Sequence, residues 1–306
     1  MPKFSVIIPV YNSEKYVEDC LKSVFKQSNQ DFEIICVNDG SKDKSLDILN
    51  KYKDEIKIVN QENMGLSIAR NNGVKKAQGK YIIFLDSDDY LEDKLLEKID
   101  SVSKNNPDLV RFGITEVKND RKTVTEGPHF NNLNGEEAFK EIINNKYIDP
   151  AGLYAYNREF YQKNNFEFMP NMYHEDFGLI PKIILTAKKV TSIEYPGYNY
   201  IRRENSITTD PNKALKRVND LLTQGKILLK EQNYPKEFYS YIANSMISKA
   251  NDLKGKNKKE YIKNLKKSKI SSYILDDTFK RKIKKLLIKM SIPLYLKVNK
   301  KWNYQL

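Results

Sequence analysis

The chain has 306 residues, 40% of them hydrophobic and 30% charged, with a net charge of +13; this suits one large α/β domain with an appendage and is too apolar for a disordered segment. No apolar stretch reaches the roughly 18 residues needed to cross a bilayer, and the amino terminus runs straight into a strand-like pattern, so neither a membrane span nor a secretory leader is expected. Two cysteines occur, Cys20 and Cys36. Both fall in apolar patterns and lack metal-type spacing, which suits reduced core residues in a cytoplasmic protein.

In chain order, FSVIIPV (4–10) reads as a strand, and residues 14–27 carry Tyr16, Val17, Cys20, Leu21, Val24 and Phe25 at helical spacing. FEIICVN (32–38) is a second strand, 42–52 a second helix and IKIVN (56–60) a third strand. A helix over 66–76 follows Gly65, and YIIFLD (81–86) is a fourth strand. Strand–helix alternation at this spacing predicts a mainly parallel, Rossmann-like sheet flanked by helices. The carboxyl ends of its strands share one edge, where ligands bind.

Residues 108–124 predict antiparallel strands around the turn KNDRK, 135–144 a helix, and AGLYAYN (151–157) an apolar segment. Residues 170–185 place a polar cluster ahead of a helix, and 191–208 a strand ending in a polar loop. Beyond about 211 the pattern is helical and lysine-rich. From Lys249 to Leu306 there are 18 Lys and Arg against 4 Asp and Glu, slightly more surplus than the whole chain's +13. The rest is a near-neutral body.

The segment KYIIFLDSDDYL (80–91) puts three carboxylates behind a buried strand. Asp86 and Asp88, two apart on an extended segment, would point the same way. Such a pair makes a hard oxygen site for Mn²⁺ or Mg²⁺, completed by substrate phosphates. Asp89 reads as a cap for a helix over 91–99. A calcium loop is excluded, because Tyr90 and Leu91 stand where it needs an oxygen ligand and a glycine. In VNDGSKDKS (37–45), Asp39 ends a strand and can accept from an N–H of a planar ligand such as uracil. In QENMGLSIARNNG (61–73), Asn63, Arg70, Asn71 and Asn72 gather at the ends of a helix, and Arg70 could pair with a phosphate or an acidic-cluster carboxylate.

Together PVYNSEKYVEDCLKSV, VNDGSKDKS, ENMGLSIARNNGVKKAQGKYIIFLDSDD and the later HED resemble the family 2 glycosyltransferases, a large inverting group with the GT-A fold. The likeness is close over 3–100 and looser to about 208. It implies a catalytic domain over 1–210, with a donor half at about 1–100 and an acceptor half at about 101–210, and does not cover the helical region over 211–306. It further implies that Pro9, Val10 and Tyr11 line the nucleoside, with Asp39 on uracil and Asn63 and Arg70 completing the pocket. Asp86, Ser87 and Asp88 would form the D-x-D motif holding a UDP-sugar, with Asp88 nearest a divalent metal. In MYHEDFGL (172–179), Asp176 matches the general base, with Glu175 and His174 on the acceptor side. In YNYIRRENSIT (198–208), Arg203 and Ser206 would meet the diphosphate, with Arg202 in reserve should the register slip. The acceptor would be a saccharide or lipid-linked saccharide. A catalytically inactive relative that binds glycans is the alternative.

The segment FKRKIKKLLIKMSIPLYLKV (279–298) gathers apolar residues on one side of a helix as far as Pro293. Such a helix can lie peripherally on a membrane, pack with its lysines in water, or support a homo-oligomer. No motif for specific nucleic-acid binding accompanies the basic tail.

Overall fold

The computed structural model describes residues 1–119, 121–144, 150–203 and 210–302. They divide into two compact units, Met1–Asn171 with Glu175–Arg203, and Met172–His174 with the residues from 204 onward.

The first unit runs β1 (Phe4–Val10), α1 (Val17–Phe25), β2 (Phe32–Asp39), α2 (Ser45–Asn50), β3 (Lys57–Gln61), α3 (Leu66–Lys76), β4 (Tyr81–Phe84), β5 (Tyr90–Leu91) and α4 (Leu95–Val102). It continues with β6 (Leu109–Arg111), β7 (Ile114–Lys118), β8 (Arg121–Thr125), α5 (Gly135–Asn144), β9 (Tyr154–Asn157), α6 (Arg158–Lys163), α7 (Leu179–Thr186), β10 (Val190–Ser192) and β11 (Tyr198–Ile201). The main sheet has the order β10-β6-β9-β4-β1-β2-β3 among the described residues. The pairs β4–β1, β1–β2 and β2–β3 are parallel, as the alternating pattern predicts. Every residue of β1 and β4 is buried, which is why both read as continuous apolar runs.

Three features differ from expectation. AGLYAYN supplies β9, inserted antiparallel between β4 and β6; Tyr154, Ala155 and Tyr156 are buried on both faces, so no alternation marked it as a strand. The helix expected over 91–99 begins only at Leu95. Tyr90 and Leu91 are drawn instead into a second sheet, β5-β11-β7-β8, opposite Asn199 and Tyr198. Asp86 to Asp89 is a turn, closed by the Asp89 N–H donating to the Asp86 carbonyl at 3.0 Å, so the alternation of an extended strand does not govern Asp86 and Asp88.

Helix α3 lies directly on β1 because Gly73 has no side chain. A Cβ there would sit 2.3 Å from Ile7 Cγ2 and 3.4 Å from Val37 Cγ2. Arg70, one turn earlier on the same helix face, is thereby carried against the sheet edge.

The second unit is helical: α8 (Ala214–Leu228), α9 (Lys236–Ser248), α10 (Gly255–Lys267), α11 (Phe279–Met290) and α12 (Ile292–Trp302). Its core gathers Val218, Leu221, Phe238, Ile242, Met246, Tyr261 and Leu265. Residues 172–174 belong to it because Asp220 accepts from the Tyr173 N–H at 2.9 Å and Gln224 donates to the Tyr173 carbonyl at 2.9 Å. The break between the last two helices falls at Ser291. Pro293 lies in the first turn of α12 and does not end the preceding helix, since a first-turn residue needs no N–H partner. Among the described residues no helix is long and apolar enough to cross a membrane.

Gly73→Ala should destabilise the protein by about 1–3 kcal/mol, because the methyl overpacks a core that Ile7 already fills. Urea unfolding followed by circular dichroism would measure the loss.

Candidate active site

The acidic turn lies at the carboxyl end of β4, beside that of β1. Ser87 is buried, and its Oγ is 2.7 Å from that of Ser13 in the loop after β1. Pro9 and Val10 are buried within β1, while Tyr11 just beyond them is 47% exposed and offers its ring at the edge.

Two arginines converge on the turn. Arg70 is buried, and its guanidinium lies 5.2 Å from the centre of the Phe168 ring. Its Nη2 donates to Asp86 Oδ1 at 2.7 Å, and its Nη1 donates to Glu175 Oε1 at 2.5 Å. Arg203 lies 4.3 Å from the Tyr16 ring centre and pairs through Nη2 with Asp88 Oδ2. Asp86 and Asp88 are thus each met by a cation laid on an aromatic face. Arg202 is committed elsewhere, to Glu116 at 2.8 Å.

The neighbours of Arg70 explain why ARNNG is so polar. Asn71 clamps the backbone of Phe168, its Nδ2 donating to the carbonyl and its Oδ1 accepting from the N–H, each at 2.9 Å. Asn72 donates to Gln61 at 2.8 Å, and Gln61 donates to Asp39 Oδ1 at 2.7 Å. Asp39 also accepts from the N–H groups of Met64 and Gly65 at 2.7 and 2.9 Å, so it pins the loop after β3. With three of roughly four acceptor positions taken, one remains for a ligand N–H. Gly40, at φ +68°, lets that loop close in, since a Cβ there would lie 2.8 Å from the Asn63 nitrogen. The Asn63 side chain is exposed. The sequence marked these asparagines as unusual without showing what they hold.

Asp89 is not a helix cap. It is buried, and it accepts from the Tyr198 hydroxyl at 2.7 Å and the Ile201 N–H at 2.8 Å. The Tyr198 oxygen in turn accepts from the Asp86 N–H at 3.2 Å. The turn and β11, the strand that leads to Arg203, are therefore one bonded assembly. Burial, reinforced by Asp86 nearby, pushes the Asp89 carboxyl up to about 7. The sequence reading took Asp89 for a cap and gave Tyr16, Phe168 and Tyr198 no part in the site.

Asp176 is half-buried behind Glu175. Loss of solvent pushes its carboxyl up to about 7; the negative charge of Glu175 adds to the rise and Arg70 opposes it. A carboxyl near neutrality suits a general base. His174 falls in the other unit. It stands at φ +57° in the helical unit, and burial followed by Lys249 and Arg217 lowers its pKa to about 4, so the ring is neutral. Ser206 lies outside the described residues.

Among the described residues no group of three or more His, Cys, Asp or Glu could hold a metal by itself. The turn supplies two carboxylates, each with one oxygen on an arginine and the other without a bond among the described residues. That donor set fits Mn²⁺ or Mg²⁺, which bind through one or two carboxylates and otherwise through phosphate and water.

The model of the family described as "Glycosyl transferase family 2" matches residues 5–165. The uncharacterized glycosyltransferase EpsJ of Bacillus subtilis is 32% identical over 228 residues, which is 70% of this chain and 65% of EpsJ. The cholesterol galactosyltransferase of Borreliella burgdorferi is 33% identical over 262 residues, 78% of this chain and 72% of that protein. Residues 1–349 of S. aureus TarS, solved with UDP-GlcNAc, superpose with a TM-score of 0.73 at 20% identity, covering 99% of this chain and 92% of that one. The fold is therefore GT-A.

Arg70→Met would leave Asp86 and Glu175 without their shared cation. The variant should lose about 2–3 kcal/mol of stability, read from its urea midpoint, because breaking a buried pair strands its charges.

Proposed function

The chain belongs to the family 2 glycosyltransferases and is a transferase, and from that premise we propose that it moves a hexose or N-acetylhexosamine from a UDP-sugar to a saccharide acceptor with inversion at the anomeric carbon. The observation that carries this reading is the pairing of Arg70 with both Asp86 and Glu175. One cation ties the acidic turn to the segment bearing Asp176, so donor and base are held a fixed distance apart.

In this reading residues 1–100 form the donor half and 101–210 the acceptor half. Tyr11, Asp39 and Asn63 receive the nucleoside, while Asp86, Ser87 and Asp88 face the diphosphate. A metal held by Asp86 and Asp88 would supply positive charge for the departing diphosphate. Arg203 exchanges Asp88 for a phosphate oxygen when the donor enters, and Ser206 follows it in sequence. Asp176 takes the proton from the acceptor hydroxyl as that oxygen attacks the anomeric carbon opposite the bond to UDP. A single base suffices, because no glycosyl–enzyme intermediate forms. Glu175 keeps Arg70 in place and raises the proton affinity of Asp176. The UDP donor is supported by the fold shared with a UDP-GlcNAc complex. The acceptor class we assign is a surface polysaccharide, teichoic acid or glycoprotein glycan, free or lipid-linked.

Two assays test this reading. A panel of UDP-sugars with Mn²⁺ should show slow UDP release from one donor, abolished by EDTA; release that is indifferent to the chelator would contradict the metal assignment. Asp176→Asn should abolish transfer yet keep UDP binding. It should also raise the Tm by a few degrees at pH 8. A carboxyl lifted from 3.8 to about 7 loses stability as pH climbs through that window, and the amide is spared this cost. Unchanged transfer would remove Asp176 as the base.

A further inference from the structure

The carboxyl-terminal helices expose apolar surface in an order that folding does not require. In α11, Ile288 is buried, while Phe279, Leu286 and Met290 are 81%, 56% and 65% exposed. At 3.6 residues per turn those three fall within an arc of roughly 40°, nearly half a turn from Ile288. Leu294 extends the exposed run into α12, whose buried contacts come from Ile292, Tyr295 and Leu296. Single exposed apolar residues are ordinary, but a row of four on the side facing away from the core is a patch.

The charge around the patch is sorted as well. Arg281 and Lys285 are paired with Asp277 and Asp276 at 2.7 and 2.9 Å, and Lys284 leans on the Tyr295 ring at 5.7 Å. By the same spacing Lys282 and Lys289 run along one edge of the stripe, Lys280 lies on its other side, and Lys297 follows in α12. All four are exposed, and none pairs with an acid among the described residues. Lysines that make no ion pair among the described residues therefore border the apolar row.

We propose that α11 and the start of α12 form a docking face for an anionic lipid surface, with Phe279, Leu286, Met290 and Leu294 entering the headgroup–acyl boundary and the lysines meeting lipid phosphates. This assignment is independent of the reaction. An aliphatic row between lysines matches both layers of such a surface. It has no use on a nucleic-acid backbone, which offers charge without an apolar layer. A second copy of this chain, related by a two-fold axis, would set these lysines against one another.

Co-sedimentation of the full chain with vesicles tests the assignment. The protein should bind vesicles of phosphatidylcholine with phosphatidylglycerol, be released by high salt, and bind pure phosphatidylcholine at least about tenfold more weakly. Leu286→Glu with Met290→Glu should abolish binding, and Lys282→Gln with Lys289→Gln should weaken it about tenfold. Both variants should keep the parent's Tm and UDP binding. No binding to anionic vesicles, or binding that neither variant changes, would overturn the proposal. So would retention on DNA without retention on vesicles, or a dimer that dissolves with the glutamate variant while vesicles are ignored.

Discussion

One guanidinium orders the first unit's ligand edge. Arg70 is buried against the Phe168 ring and divides its two terminal nitrogens between Asp86, at the end of β4, and Glu175, some hundred residues later. A buried cation is costly unless its partners are well placed, and here the partners are carboxylates that would otherwise repel. Each group makes the others tolerable. Gly73 brings the helix close enough, and Asn71 fixes the backbone beneath the ring, so the position of Arg70 is set by packing on one side and by hydrogen bonds on the other.

A second assembly works on the opposite side of the acidic turn. Asp89 and Tyr198 tie the turn to β11, and that strand delivers Arg203 to Asp88. The two arginines differ in commitment. Arg70 is enclosed and paired with two acids, whereas Arg203 is half-buried, lies two residues beyond β11 and makes one ion pair among the described residues. The first is a fixed post, and in the proposed reading the second trades its carboxylate for a phosphate of the donor.

Much of this edge was legible in the sequence for specific reasons. Strands buried on both faces write themselves as apolar runs, so β1, β2 and β4 were readable, and polar residues at their ends were conspicuous against that background. What stayed hidden depended on partners distant in the chain. Asp89 resembled a cap because local spacing could not show Tyr198 a hundred residues away. β9 is buried on both sides and short, so it carried no period of its own. Tyr16 and Phe168 are aromatics among many, and nothing in their spacing sets them under arginines. The local geometry of Asp86 and Asp88 stayed hidden because a turn replaces the extended segment there. The exposed stripe of α11 was visible as a pattern, but only the burial of Ile288 opposite it showed which side faced outward.

The proposed link between a donor-binding turn and a base at Asp176 through Arg70 is best tested with Arg70→Lys, which keeps the charge but cannot reach two carboxylates at once. UDP–Mn²⁺ affinity and the pH profile of transfer would be measured on the same preparation. Weaker UDP binding together with an ascending limb shifted above pH 7 is the predicted result, since Asp176 would lose part of the cation that opposes its protonation. Parent-like affinity and an unmoved limb would contradict the claim that one arginine holds both halves of the site together.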